Sequence, residues 1–550
     1  MTYRPEINGL RAIAVLSVIV YHFNFLDIVK IDGGFLGVDI FFVISGYLIT
    51  SIILKELYLT GKFSFNNFYE RRARRILPVL IIVIFFSILL AWIFLFPTYL
   101  IEFSKSALHS IGFISNYYFY DSKIEYAAGQ ELLKPLLHTW SLSVEEQYYI
   151  FFPIILLFLF RFLKEHLLLI FVIGFLLSLQ VSELTYEKNI SMSFYFLHTR
   201  MWELLAGSIL AYLEIKKKIS YENKLLNLTL PVIGLSLILI SLIFFNTDMP
   251  HLPYYTILPI TGVSLVICFS NSYSGVGKIL SNKLFVGTGL ISYSLYLWHF
   301  PVLIFTKIFN GNFHEPLKAF TNITLLIIIF ILSVATYFFI EKPFRNKKKI
   351  SIYYFLVLVM GSILLILITC SIIIVNKGFI ERNKITDTYI LDSSYYHDEN
   401  HAFELSINYN NTNGFVETSN SESTLKKKNV LIVGNSHAED TYEIFYYNRN
   451  LFKNFNFALI SPTSRTDDIN YQVHCFYKLI TKNLTLCDQY KYDGNTISQY
   501  KNSDIIIFST KWAQKDVDIL DKIIKILRQD KKKIIITNNI IESNVTGVFN

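Results

Sequence analysis

Arg11 and His22 stand at the two ends of the apolar run AIAVLSVIV, inside the stretch NGLRAIAVLSVIVYHFNF at residues 8–25. A guanidinium in such a place can hold an anion, and an imidazole can accept or carry a proton near neutral pH. Their spacing amounts to three helical turns plus about 20°, so one helix face would present both, about 16 Å apart along its axis. Ionisable groups inside an apolar helix point to a lined cavity, although a polar pair bonded to neighbouring helices is the blander account.

Other polar groups recur in similar surroundings. GGFLGVDIFFVISGYLIT carries Asp39, with Ser45 and Gly46 about two turns further on. HTWSLSVEEQYYIFFP carries His138, Glu145 and Glu146, and ISYSLYLWHFP carries Ser292, Tyr296, Trp298 and His299. Trp140, Tyr148 and Trp298 are also what an interfacial aromatic belt requires. An unpaired carboxylate at Asp39 would be costly, so a cation or hydroxyl is expected beside it. Several helices that each bear acids or histidines suggest a shared polar cavity. RRARR at 71–75 supplies Arg71, Arg72, Arg74 and Arg75 and runs straight into an apolar segment. It serves topology alone, or it forms a site for a phosphate-bearing anion at the cytoplasmic mouth.

Membrane helices are the elements that must position these groups. The chain is 53% hydrophobic and 17% charged, with a mean hydropathy of +0.43, which excludes an ordinary soluble globular protein. Apolar runs of the ~20 residues needed to cross a bilayer recur as far as Val375. Eleven spans fit, near 7–27, 34–54, 76–97, 137–160, 166–182, 197–214, 227–246, 253–271, 284–308, 319–341 and 352–375. The first run keeps its Arg and His and has no small-residue cleavage site behind it, so it reads as a permanent span. The net charge of +8 is concentrated in clusters such as RRARR, KKK at 216–218 and KPFRNKKK at 342–349. Basic loops alternate with loops poor in Lys and Arg, as the positive-inside rule asks of a multi-pass chain. The charge is then a topology device and gives no reason to expect nucleic acid. It puts the N-terminus in the cytoplasm and, eleven being odd, the C-terminal part outside.

Beyond Val375 the apolar segments shorten. Residues 377–425 read as a linker or irregular extension. KKKNVLIVGNSHAEDTYEIF then gives an apolar run, VLIV, a tight turn at Gly434 and Asn435, and Ser436 where a helix opens. SDIIIFST and KKKIIITNN, with DVDILDKIIKILRQ between them, complete the pattern of a parallel α/β sheet. A serine after the first strand sits where ligands bind in such folds, or serves as a plain helix N-cap. Cys268 and Cys370 fall in spans, while an extracytoplasmic address permits a disulfide between Cys475 and Cys487 that spacing alone leaves open. No Cys or His cluster has metal-ligand spacing, so no metal is expected.

The blocks YRPEINGLRAIAVLSVIVYHF, GGFLGVDIFFVISGYLIT, FYERRARRILP, LLHTWSLSVEEQYYI, RMWELLAGSILA, ISYSLYLWHFP and FIEKPFR occur in order along residues 3–345. Together they resemble the integral-membrane acyltransferase-3 family of bacterial O-acyltransferases. The resemblance implies transfer of an acyl group, usually acetyl, from cytoplasmic acyl-CoA to hydroxyls of a cell-envelope glycan such as lipopolysaccharide O-antigen. It implies residence among the lipids of a bacterial inner membrane, with the C-terminal domain in the periplasm. The family's Arg-x10-His motif falls on Arg11 and His22, and its acidic position after WSL falls on Glu145. Its CoA-phosphate arginines fall within Arg71, Arg72, Arg74 and Arg75. His22 would then act as base or acyl carrier, with Asp39 or Glu145 orienting it.

GNSHA similarly resembles the GDSHA block of SGNH hydrolases, which makes Ser436 a nucleophile with Gly434 and Asn435 at the oxyanion turn. Asn435 stands where that family has Asp, and its Asp-x-x-His is expected past Asn550, so this domain is expected to be incomplete. The expected organisation is a membrane acyltransferase domain at 1–345 with ten spans and an additional span within 346–376. The linker at 377–425 and an SGNH-like α/β domain at 426–550 follow. A transporter of a sugar or lipid-linked glycan is the competing reading. It is expected to show internal repeats, of which the spans carry none, and has no use for a fused hydrolase-like domain. An esterase on a passive anchor leaves the polar residues of several spans unexplained. Oligomeric state has no sequence signature here.

Overall fold

Apolar segments in a bilayer fold as helices because the backbone has no water to bond to and must satisfy itself within the segment. The computed structural model describes residues 4–379 apart from 24–30, 123–133, 217–223, 272–274, 311–318 and a few single positions, and the elements named below within 427–536. Two compact units divide at 379/380.

The first unit is helical. It begins with α1 (Pro5–Phe23), α2 (Gly37–Thr60), α3 (Phe65–Phe94), α4 (Pro97–Ile111), α5 (Ser115–Asp121) and α6 (Thr139–Phe162). The middle comprises α7 (Leu167–Tyr186), α8 (Ile190–Tyr195), α9 (Leu197–Ile215), α10 (Lys224–Phe244), α11 (Leu252–Tyr255) and α12 (Ile257–Phe269). It closes with α13 (Gly275–Leu280), α14 (Lys283–Leu290), α15 (Ser292–Asn310), α16 (Ala319–Thr336), α17 (Lys342–Arg345) and α18 (Ile352–Val375). A π-helical turn at Tyr337–Glu341 joins α16 to α17.

Among the described residues eight helices are long and apolar enough to cross a membrane, or nine if α14 and α15 count as one span. Three of the expected eleven stretches fall short of that length or composition. The stretch 197–214 is the helix α9, but Arg200, Glu203 and Glu214 make it too polar to qualify. The stretch 253–271 folds as two helices, α11 and α12, whose joint apolar segment Pro253–Phe269 is too short. The stretch 284–308 is broken by a 65° bend between α14 and α15.

That bend and one close crossing hold the polar residues in place. α14 lies on the start of α1, so near that a Cβ on Gly289 would fall 1.9 Å from the Asn8 carbonyl oxygen. α15 then turns along the other half of α1 and brings His299 to His22. α2 and α9 cross with backbones almost touching. A Cβ on Gly46 would stand 1.9 Å from the Leu204 carbonyl oxygen, and one on Gly207 2.0 Å from that of Val43. Small residues at such crossings are how membrane helices gain packing without a hydrophobic drive.

The second unit contains a four-stranded parallel sheet with strand order β2-β1-β3-β4. Its strands are β1 (Lys428–Gly434), β2 (Phe455–Ile460), β3 (Ile505–Ser509) and β4 (Lys533–Ile536). Alternate residues serve opposite faces. Leu431, Val433, Ile506 and Phe508 pack under Leu520, Ile523 and Leu527 of the helix Gln514–Gln529, while Val430, Ile432 and Ile507 meet Tyr442, Phe457 and Leu459. The parallel α/β arrangement matches the expectation from its apolar runs, with β2 as a strand those runs did not mark.

Gly207→Leu should force α2 from α9 and lower the melting temperature in detergent, at a cost of at least about 1–3 kcal/mol from overpacking. An unshifted transition would mean that the crossing is looser than described.

Candidate active site

Five helices converge on one cavity. Arg11 of α1, Arg72 and Arg75 of α3, Glu145 and Tyr149 of α6, and Tyr293 and Tyr296 of α15 line it, with Ser45 of α2 at its wall. Glu145 accepts hydrogen bonds from the hydroxyls of Ser45 and Tyr149. The Arg72 guanidinium lies over the Tyr149 ring, 5.0 Å from its centroid. Nε of Arg11 is buried without a hydrogen-bond partner. Three guanidiniums thus share one apolar-walled cavity with a carboxylate already engaged by two hydroxyls. Such a site favours an anionic guest able to take bidentate contacts.

The basic block divides sharply by face. Arg74 points away from the cavity and is buried, donating to Glu70 (2.8 Å) and to the carbonyls of Phe344 (3.1 Å) and Ile350 (2.9 Å). Its guanidinium also covers the Phe355 ring. Arg74 therefore ties α3 to the segment before α18, and Arg71 is exposed. Of the four arginines, Arg72 and Arg75 line the cavity.

The histidines form a second cluster. Nε2 of His299 lies 3.3 Å from Nδ1 of His22, and Nδ1 of His299 lies 2.5 Å from the Tyr296 carbonyl oxygen. His138 sits edge-on to His299 with ring centroids 5.5 Å apart. Phe300 packs against both His22 and His138. Tyr296 joins the two clusters: its ring lines the cavity, and its hydroxyl donates to the His138 carbonyl at 2.8 Å. Among the described residues no group of three or more His, Cys, Asp or Glu is disposed to hold a metal ion.

The carboxylates expected to orient His22 are engaged elsewhere, which corrects that expectation. Asp39 accepts from Arg200 at 2.6 Å, and Arg200 also meets Glu203 at 3.2 Å. Asp39 does have the cationic neighbour that its burial required. Glu145 belongs to the arginine cavity, and the group that touches His22 is another imidazole. Sequence reasoning missed Arg200 and Glu341, although both lie in the quoted blocks. Glu341, on the π-helical turn, is buried and bonds Ser294 (3.3 Å) and Arg345 (3.2 Å). A lone acid or arginine in an apolar block was the available signal. In the second unit Gly434 closes β1 opposite Ser509. Asn435, Ser436, Cys475 and Cys487 lie outside the described residues.

The family described as "Acyltransferase domain", acyltransferase-3, matches residues 4–342. "O-acetyltransferase OatA" of Staphylococcus aureus strain NCTC 8325 is 33% identical over 360 residues, as is that of strain COL. The protein SAS0844 of strain MSSA476 is 37% identical over 362 residues. Each alignment covers 63% of this chain and 58% of the relative, so the chain spans under two thirds of the curated proteins it matches. No solved structure matches.

Arg74→Ala should destabilise the protein by about 2–3 kcal/mol through its lost charged hydrogen bonds. Arg72→Ala should leave the melting temperature close to native. Equal losses in thermal unfolding would contradict the division of the block by face.

Proposed function

The chain belongs to the acyltransferase-3 family, and from that premise we propose that it is a multi-pass membrane O-acetyltransferase. In this reading it moves an acetyl group from acyl-CoA on the cytoplasmic side to hydroxyls of a glycan of the cell envelope, such as O-antigen. Its membrane is the bacterial inner membrane, with the N-terminus cytoplasmic and the second unit periplasmic. The cavity of Arg11, Arg72 and Arg75 takes the phosphates of the donor, whose charge suits three guanidiniums and the unpartnered Nε of Arg11. His22 takes the proton of the attacking hydroxyl, or carries the acyl group.

One observation carries the proposal. Arg11 and His22 lie on the same helix, Arg11 in the arginine cavity and His22 in the histidine cluster, and Tyr296 belongs to both surroundings. The separation of about 16 Å along α1 is comparable to the pantetheine arm that separates the phosphates of coenzyme A from its sulfur. A phosphate anchor at one end and a proton acceptor at the other is what a long thioester donor requires. The second unit, with Ser436 after its first strand, is proposed as an SGNH-like domain that hands the acyl group to the acceptor.

The test uses the full chain in sealed vesicles with radiolabelled acetyl-CoA on the cytoplasmic side. His22→Ala should lower kcat by about 10²-fold or more, as expected for loss of a positioned base. Arg72→Ala and Arg75→Ala should chiefly raise the donor KM, the mark of lost uniform binding. Ser436→Ala should spare release of label from CoA and reduce its arrival on glycan. Native turnover in His22→Ala would remove the basis of the proposal.

A further inference from the structure

We propose that His299 is a positioning residue that sets the tautomer of His22, leaving the Nε2 lone pair of His22 as the reactive one. The inference deepens the acetyltransferase reading and rests on it.

The hydrogens of this pair can be followed through two contacts. A carbonyl oxygen can only accept, so the 2.5 Å contact from His299 to the Tyr296 carbonyl requires a hydrogen on Nδ1 of His299. A neutral imidazole protonated at Nδ1 has its lone pair at Nε2. That nitrogen faces Nδ1 of His22 at 3.3 Å. His22 must then donate from Nδ1, and its own lone pair lies at Nε2. The alternative is a doubly protonated His299 donating to His22. His299 is fully buried, and the rings packed on it belong to His22, His138, Tyr296 and Phe300, none of them anionic. An unpaired cation in those surroundings would be costly, so the neutral relay is the arrangement that fits.

The arrangement does with an imidazole what hydrolases do with a carboxylate: the orienting group holds one ring nitrogen and so fixes where the hydrogen sits. The orienting group here is neutral. As the bond from the acceptor oxygen to the acyl carbon forms, the hydroxyl proton binds Nε2 of His22. It passes to the sulfur released when the carbon–sulfur bond breaks, and His22 ends neutral with Nδ1 still protonated. The backbone carbonyl of Tyr296, whose ring lines the donor cavity, fixes the far end of the relay.

Two variants and one spectrum test it, in the full chain. His299→Gln keeps an acceptor near the position of Nε2, whereas His299→Leu removes it. His299→Leu should lower kcat by about 10²-fold with donor KM nearly unchanged, and His299→Gln should recover most of that loss. Solid-state 15N spectra of the native protein in bilayers, labelled at histidine and assigned with His22→Ala, should show hydrogen on Nδ1 of His22. Protonation of His22 at Nε2 would overturn the proposal whether or not the variants fold. So would native kcat in His299→Leu, or equal losses in the two variants. The His22→Ala control separates the failures. If it too retains turnover, the acetyltransferase reading falls; if it alone is inactive, only the role of His299 does.

Discussion

Holding five arginines among apolar helices, Arg74 buried and Arg11, Arg72, Arg75 and Arg200 half-buried, is the constraint on which the rest of the first unit depends. A guanidinium cannot shed its charge, so each one needs acceptors brought to it. Arg74 finds Glu70 and two carbonyls, and Arg200 finds Asp39 and Glu203. Arg11, Arg72 and Arg75 gather instead around one cavity, and the Glu145 facing them is already bonded to Ser45 and Tyr149. The first two arginines hold the fold together. The last three line an open space.

The rest of the bundle can be understood as support for that charge. Gly46 and Gly207 allow α2 and α9 to touch, and it is these two helices that carry Asp39 and Arg200. The bend between α14 and α15 lets one helix lean on each half of α1, so that a single face of α1 meets arginines at one end and His299 at the other. The histidines occupy an apolar pocket with Phe300 and Tyr296, where a neutral ring is at home and a cation is not. The arginines and the histidines occupy adjoining surroundings joined by Tyr296.

Much of this was legible in the sequence because it depends on helical periodicity. The spacing of Arg11 and His22 placed them on one face, and the apolar runs after Lys428 placed three of the four strands. Partner choice was less legible. Whether Asp39 turns to His22 or to Arg200 depends on a crossing set by two glycines about 160 residues apart in the chain. The four arginines of RRARR look alike in sequence, yet the helix turns Arg74 toward Phe344 and Ile350 while Arg72 and Arg75 face the cavity. The stretches marked by hydropathy that fall short as uniform apolar spans include one where a helix carries its own ion pair, as α9 does, and one that is broken, as at Ile291.

A structure of the full chain bound to a non-transferable thioether analogue of acetyl-CoA would test the central claim most directly. The account requires the phosphates within about 3 Å of guanidinium nitrogens of Arg11, Arg72 and Arg75, and the acyl end directed past Tyr296 toward His22. An analogue seated away from these arginines, or with its acyl end turned from His22, would contradict it.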